Sequence, residues 1–133
     1  MSLQTFIPEI KEELIEESKL TQRYAEIFAS AKIEFDGETY NLSSLEPKVL
    51  STDRSTRKRA QQTRLGFIGS HAEELDSLYQ DLVKTRTSAA KKLGFKSYTE
   101  LAYKELGRTE YNPEMIAGFR DQISRVVVPL VHE

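Results

Sequence analysis

Few side chains in this sequence could do chemistry, and none stands in a complete set. His132-Glu133 has the composition that opens a His-Glu-x-x-His helix, where a second histidine four residues on lets two imidazoles hold zinc while the glutamate activates water. The sequence ends before such a histidine, so the pair reads as an accidental dipeptide. His71, the other histidine, falls on an apolar helical stripe, where a hydrogen-bonded structural role is expected. Arg86 lies near the centre of the face made by Leu75, Leu78, Leu82, Ala89 and Leu93. A cation there needs a carboxylate or carbonyl partner, so Arg86 is expected to be largely buried in a structural ion pair, with recognition of a carboxylate ligand as the functional alternative. Arg54, Arg57, Lys58, Arg59 and Arg64 form a basic cluster without the broad surface or interleaved aromatics of a nucleic-acid site. They read as a solvated helix face with intrahelical partners. Tyr98, Tyr103 and Tyr111 could touch a ligand, but also suit half-buried helix crossings. No phosphate-binding glycine loop, Ser-His-Asp set or spaced acid pair is present, so no residue is assigned as catalytic or metal-binding.

The composition sets bounds on these readings. At 133 residues the sequence can bury the core of one domain. A net charge of -2 with 30% charged residues creates no strong field toward nucleic acid or membrane. Zero cysteines exclude a disulfide scaffold and thiolate metal sites. With no apolar run near the length of a membrane span and no signal-peptide pattern, the expected location is the cytoplasm.

The elements that must position these residues are mostly helices. The spacing of Ile7, Ile10, Leu14, Leu20, Tyr24, Ile27, Phe28 and Ala31 after a first-turn Pro8 predicts a helix over 7–31, although Glu13 and Glu17 interrupt its stripe. Asp36-Gly37 between two β-rich runs predicts a hairpin over 32–42, pairing Phe35 with Glu38 and Ile33 with Tyr40. From Ala60 to Leu93 apolar positions recur at alternating spacings of three and four, predicting a helix over 53–93. Gly66 and Gly69, each costing about 1 kcal/mol relative to alanine, and a Ser70/Glu73 capping box leave open a kink or two helices near 66–70. Gly94 and Gly107 supply helix C-caps, Ser97 with Glu100 caps a short helix over 97–106, and Asn112-Pro113-Glu114 starts a last helix over 113–128. Ile116, Phe119, Ile123, Val126, Val127 and Leu130 would be its buried face, with Pro129 as terminator or kink. The fold class is therefore all-α and multi-helix with one small β-hairpin, in a single helical region.

Five pieces in order, FDGETYNLSSLEP, STDRSTRKRA, ELDSLYQDLVKTR, AAKKLGFKSYTEL and GRTEYNPEMIAGFRDQISRVVVP, resemble the oligoendopeptidase F branch of the thimet-oligopeptidase-like zinc metallopeptidases, in a helical segment upstream of the zinc motif. The resemblance implies a mainly helical parent enzyme that hydrolyses internal bonds of short peptides with a zinc-activated water. It implies no zinc ligand, general base or other catalytic residue at any position here, so the chain alone is expected to be inactive and to hold no cofactor. The segment would form part of a channel wall, with the remainder of the parent as partner, truncated before the catalytic domain; the apolar run VVVPLV near its end suits that reading. The alternative is an independent helical protein-interaction module without catalytic activity. A severed segment should expose large apolar patches or cover them by self-association, whereas an autonomous module should not.

Overall fold

The structure, a computed structural model, describes residues 8–108 and 110–131. A 3-10 turn, Pro8–Ile10, leads into helix α1 (Lys11–Ala29), hairpin strands β1 (Ile33–Phe35) and β2 (Glu38–Tyr40), and a single helical turn α2 (Glu46–Val49). Helices α3 (Arg54–Ser70), α4 (Ala72–Lys92), α5 (Tyr98–Glu105) and α6 (Pro113–Val131) follow. The fold is all-α apart from its two-stranded antiparallel hairpin. Residues 12–86 form one compact unit, and the described residues on either side of them form another.

In the 12–86 unit the hairpin supplies the core. Its register is Ile33↔Tyr40, Glu34↔Thr39 and Phe35↔Glu38. The turn needs positive φ at both central residues, and Asp36 (φ 51°) and Gly37 (φ 84°) provide it. Strand alternation turns Ile33 and Phe35 inward and Glu34 outward. Ile33 and Phe35 cluster with Ala31, Leu45 and Ala60, flanked by Tyr40, Leu42, Val49 and Phe67. A lone hairpin is marginal in water, and here α3 packs on β1 and on α2 to supply the missing apolar cover.

Helix α3 begins at Asp53, whose carboxylate accepts from the Thr56 amide at 2.7 Å and the Ser55 hydroxyl at 2.9 Å. It ends at Ser70, and the chain restarts as α4 after His71 alone. The break follows from competition for the Phe67 carbonyl. A continuous helix would give that carbonyl to the His71 amide, but the Ser70 hydroxyl takes it at 2.7 Å and the His71 ring Nδ1 at 3.0 Å. The His71 amide turns instead to Ile68 O at 3.1 Å. Ser70 therefore bonds back into α3 and does not form the capping box with Glu73 that the sequence left open. The stripe Ala60, Arg64, Phe67, His71, Leu75, Leu78, Leu82 is nonetheless buried or half-buried on both sides of the break.

In the other unit, α4 and α5 close with the same device. The Phe95 amide reaches back to Ala90 O at 2.9 Å past Gly94 (φ 80°), and the Arg108 amide to Tyr103 O at 2.8 Å past Gly107 (φ 65°). Ser97 accepts from the Glu100 amide, and Glu100 Oε2 accepts in turn from the Lys96 amide at 3.1 Å. Asn112 Oδ1 accepts from the Met115 amide at 2.9 Å to start α6, which runs through Pro129 to Val131. Among the described residues of this unit the buried apolar side chains are Ile10, Ala89, Ala90 and Leu101. Helix α6 has none. Its expected buried face is not buried: Ile116 and Ile123 are half-buried, while Phe119, Val126, Val127 and Leu130 are exposed. Periodicity correctly marks the face but carries no information about whether this chain contains the surface that covers it.

Hydrogen bonds from Thr56 first, and then Ser55, hold the Asp53 carboxyl down to about 2 from an ordinary 3.8. Its folded form binds a proton less readily than its unfolded form, so the stabilisation is complete above about pH 4 and is lost as pH falls toward 2. Asp53→Ala should lower the thermal midpoint at neutral pH by roughly 4 °C and flatten its fall between those pH values. Asp53→Asn should keep most of the midpoint while also flattening the fall, since an amide caps without titrating. Thermal denaturation followed by circular dichroism across this range checks both.

Candidate functional site

Within the 12–86 unit, charged side chains that could have addressed a ligand are committed to the fold. Arg86 on α4 donates from Nε to Glu17 Oε1 on α1 at 2.7 Å. The side chains are 36% and 28% exposed, so this is a half-buried pair and not the largely buried one expected of Arg86. Glu17 was one of the two acids that interrupted the α1 stripe; the other, Glu13, is itself buried. A second pair of opposite polarity joins the same helices, with Arg23 of α1 on Glu74 of α4 at 2.8 Å. Glu17 meets Arg86 in the later half of α4, while Arg23, six residues further along α1, meets Glu74 near the start of α4, which sets the two helices antiparallel.

Three residues of the basic cluster, Arg57, Arg59 and Arg64, are spent similarly. The guanidinium of Arg59 grips both carboxylate oxygens of Asp36 in the hairpin turn, lies 5.1 Å from the centre of the Phe35 ring, and holds the Asp36 carboxyl below its ordinary range. Arg57 donates to the Ser51 carbonyl at 2.6 Å, and Arg64 to Glu46 of α2 at 2.9 Å. The expectation of intrahelical partners is thus corrected: Arg57, Arg59 and Arg64 bond to the loop, the hairpin and α2, because α3 packs on those elements. Arg64 and Glu46 rim a cavity of about 480 Å³ floored by Phe28, Leu42 and Ile68.

His71 is held by Phe67 and Ser70 and lies against the Phe67 ring, centroids 4.6 Å apart. His132 and Glu133 lie outside the described residues. Among the described residues no group of three or more His, Cys, Asp or Glu side chains is placed to hold a metal ion. The donor set of the described residues does not fit zinc.

The other unit contains a cavity of about 440 Å³ around α5, walled by Phe95, Tyr103, Tyr111 and Pro113. Glu100, Lys104, Arg108 and Asn112 complete its lining. Tyr103 and Tyr111 meet edge to face at 6.2 Å, the Arg108 guanidinium lies 5.1 Å from the Tyr103 ring centre, and Lys104 Nζ lies 5.4 Å from that of Phe95. Sequence reasoning had singled out Tyr103 and Tyr111 but missed Phe95, Lys104, Arg108 and Pro113. The signal was available in the two glycine caps, since each cap folds the residue that follows it back toward the end of its helix.

Among the described residues no helix is long and apolar enough to cross a membrane. No family model matches the sequence, and no curated protein does. Solved structures do match. An oligoendopeptidase F is 48% identical with a TM-score of 0.91, a PZ peptidase A with an inhibitor is 50% identical with a TM-score of 0.90, and an oligoendopeptidase F from Bacillus anthracis str. Ames is 44% identical with a TM-score of 0.90. Each match covers 96% of this chain. The chain spans 23%, 23% and 24% of those chains, respectively, so about a quarter of their length. At this identity along nearly its whole length, the chain belongs to the oligoendopeptidase F-like family.

The Arg86–Glu17 pair should show a coupling of about 1 kcal/mol in a double-mutant cycle of Arg86→Met and Glu17→Gln, intermediate between exposed and fully buried pairs. Urea unfolding of the four proteins measures it. Strictly additive changes would mean that the contact contributes no pairwise stability.

Proposed function

We propose that this chain is a structural segment of a cytoplasmic zinc oligoendopeptidase, one that builds part of a helical channel wall upstream of the zinc motif, in an enzyme that hydrolyses internal bonds of short peptides. The observation that carries the reading is the state of α6. A 19-residue helix with Phe119, Val126, Val127 and Leu130 exposed along one face is built to be covered. The relatives are about four times longer, and their additional polypeptide is the natural cover. An autonomous interaction module would be expected to bury this face within its own core.

On this reading the chain contributes geometry. The ion pairs between α1 and α4, the hairpin seated on α3, and the glycine caps around α5 fix helix directions. Zinc, when bound to the longer enzyme, supplies the activated water, and its ligands come from outside this sequence. The remainder of the peptidase is the partner, and short peptides are met only through it.

The test is cleavage of an internally quenched oligopeptide by two proteins: the 133-residue chain, and an oligoendopeptidase F in which this chain replaces the matching quarter. The chimera should retain turnover within about tenfold of its parent, since the interior contacts are those of a close relative, and a chelator should abolish it. The chain alone should give none. Chelator-sensitive turnover by the chain alone, or a folded chimera without turnover, would overturn the proposal.

A further inference from the structure

We infer that the cavity around α5 is a binding site for a small monoanion carried on an aromatic body, such as an aromatic carboxylate. The inference uses only residues 95–108 and 111–113 and holds whether or not the peptidase reading does.

Three rings, Phe95, Tyr103 and Tyr111, give the cavity flat apolar walls that suit a planar group. The walls are positioned rather than loose: Phe95 follows the Gly94 cap, Tyr103 accepts the Arg108 amide at its carbonyl, and Tyr111 precedes the Asn112 cap of α6. Lys104 and Arg108 stand over two of these rings. Elsewhere Arg23, Arg59, Arg64 and Arg86 are each paired with a carboxylate of another element. Among the described residues Lys104 and Arg108 have ring contacts and no ion pair, so their N–H donors remain available to an anion.

Charge balance sets the class of anion. Lys104 and Arg108 contribute two positive charges to the lining and Glu100 one negative. Glu100 already accepts from the Lys96 amide at 3.1 Å and sits in the first turn of α5. The net field favours one negative charge, and the nearby carboxylate disfavours a dianion such as an aryl phosphate. The Asn112 side-chain NH2 offers a further donor, since only its Oδ1 is used in capping α6.

Titration of the full chain with N-acetylphenylalanine, N-acetylphenylalaninamide and phenyl phosphate, followed by NMR shifts of the Tyr103 and Tyr111 rings, tests the site. The acid should bind saturably, about fivefold tighter than the amide and tighter than the phosphate. Arg108→Gln and Lys104→Gln, both at exposed positions, should each weaken the acid about threefold and leave the amide unchanged, with circular dichroism intact. Glu100→Gln, which can still accept from the Lys96 amide, should narrow the gap between acid and phosphate. Equal affinity for acid and amide, no saturation below roughly 10 mM, or acid binding indifferent to both cation variants would overturn the inference.

Discussion

An apolar helix face has to be covered, and in this chain the one on α6 is not. On that face Met115, Phe119, Val126, Val127 and Leu130 are between 48% and 66% exposed. Covering the remaining half of each such side chain stabilises by about 1 kcal/mol, so several kcal/mol wait on a complementary surface. That is comparable to the net stability of a small domain. The relatives place this sequence within chains roughly four times its length, and the two facts support each other. An exposed apolar helix of this kind fits a chain that matches only about a quarter of its relatives' length.

In the 12–86 unit several demanding groups do find partners within the unit. Phe35 and Ile33 are covered by α3, Asp36 is gripped by Arg59, Glu46 by Arg64, and the half-buried Glu17 by Arg86. A half-buried acid and a half-buried base on two separate helices form a register mark, because sliding either helix by a turn would leave both charges poorly solvated. The segment thus contains its own alignment between α1 and α4 while leaving α6 open.

Legibility in the sequence followed the range of the interaction. The hairpin register came directly from Asp36-Gly37, because the turn type is decided by two residues. The caps at Ser97, Gly94 and Gly107 are equally local. The choice between one helix and two near Gly66–Ser70 was open because the deciding event is competition for a single carbonyl by the Ser70 and His71 side chains, which propensity does not count. The partner of Arg86 lies 69 residues away. Two acids inside an apolar stripe and a cation inside another were its visible traces, but nothing in one sequence joined them. The cavity around α5 was half legible: its tyrosines stood out, whereas the cations over the rings depend on how two helix ends turn. The openness of α6 could not be read from its periodicity, which identifies a face and is silent on its cover; the apolar run VVVPLV and the resemblance to a longer enzyme were its traces.

Amide hydrogen exchange of the 133-residue chain, at a concentration where it is monomeric, tests the central claim most directly. The account predicts that amides of 113–131 exchange well ahead of those of 54–70 and 33–40, because uncovered helices open locally at little cost. Equal protection of α6 and the hairpin–α3 core would show that this chain completes its own packing, and would contradict the account.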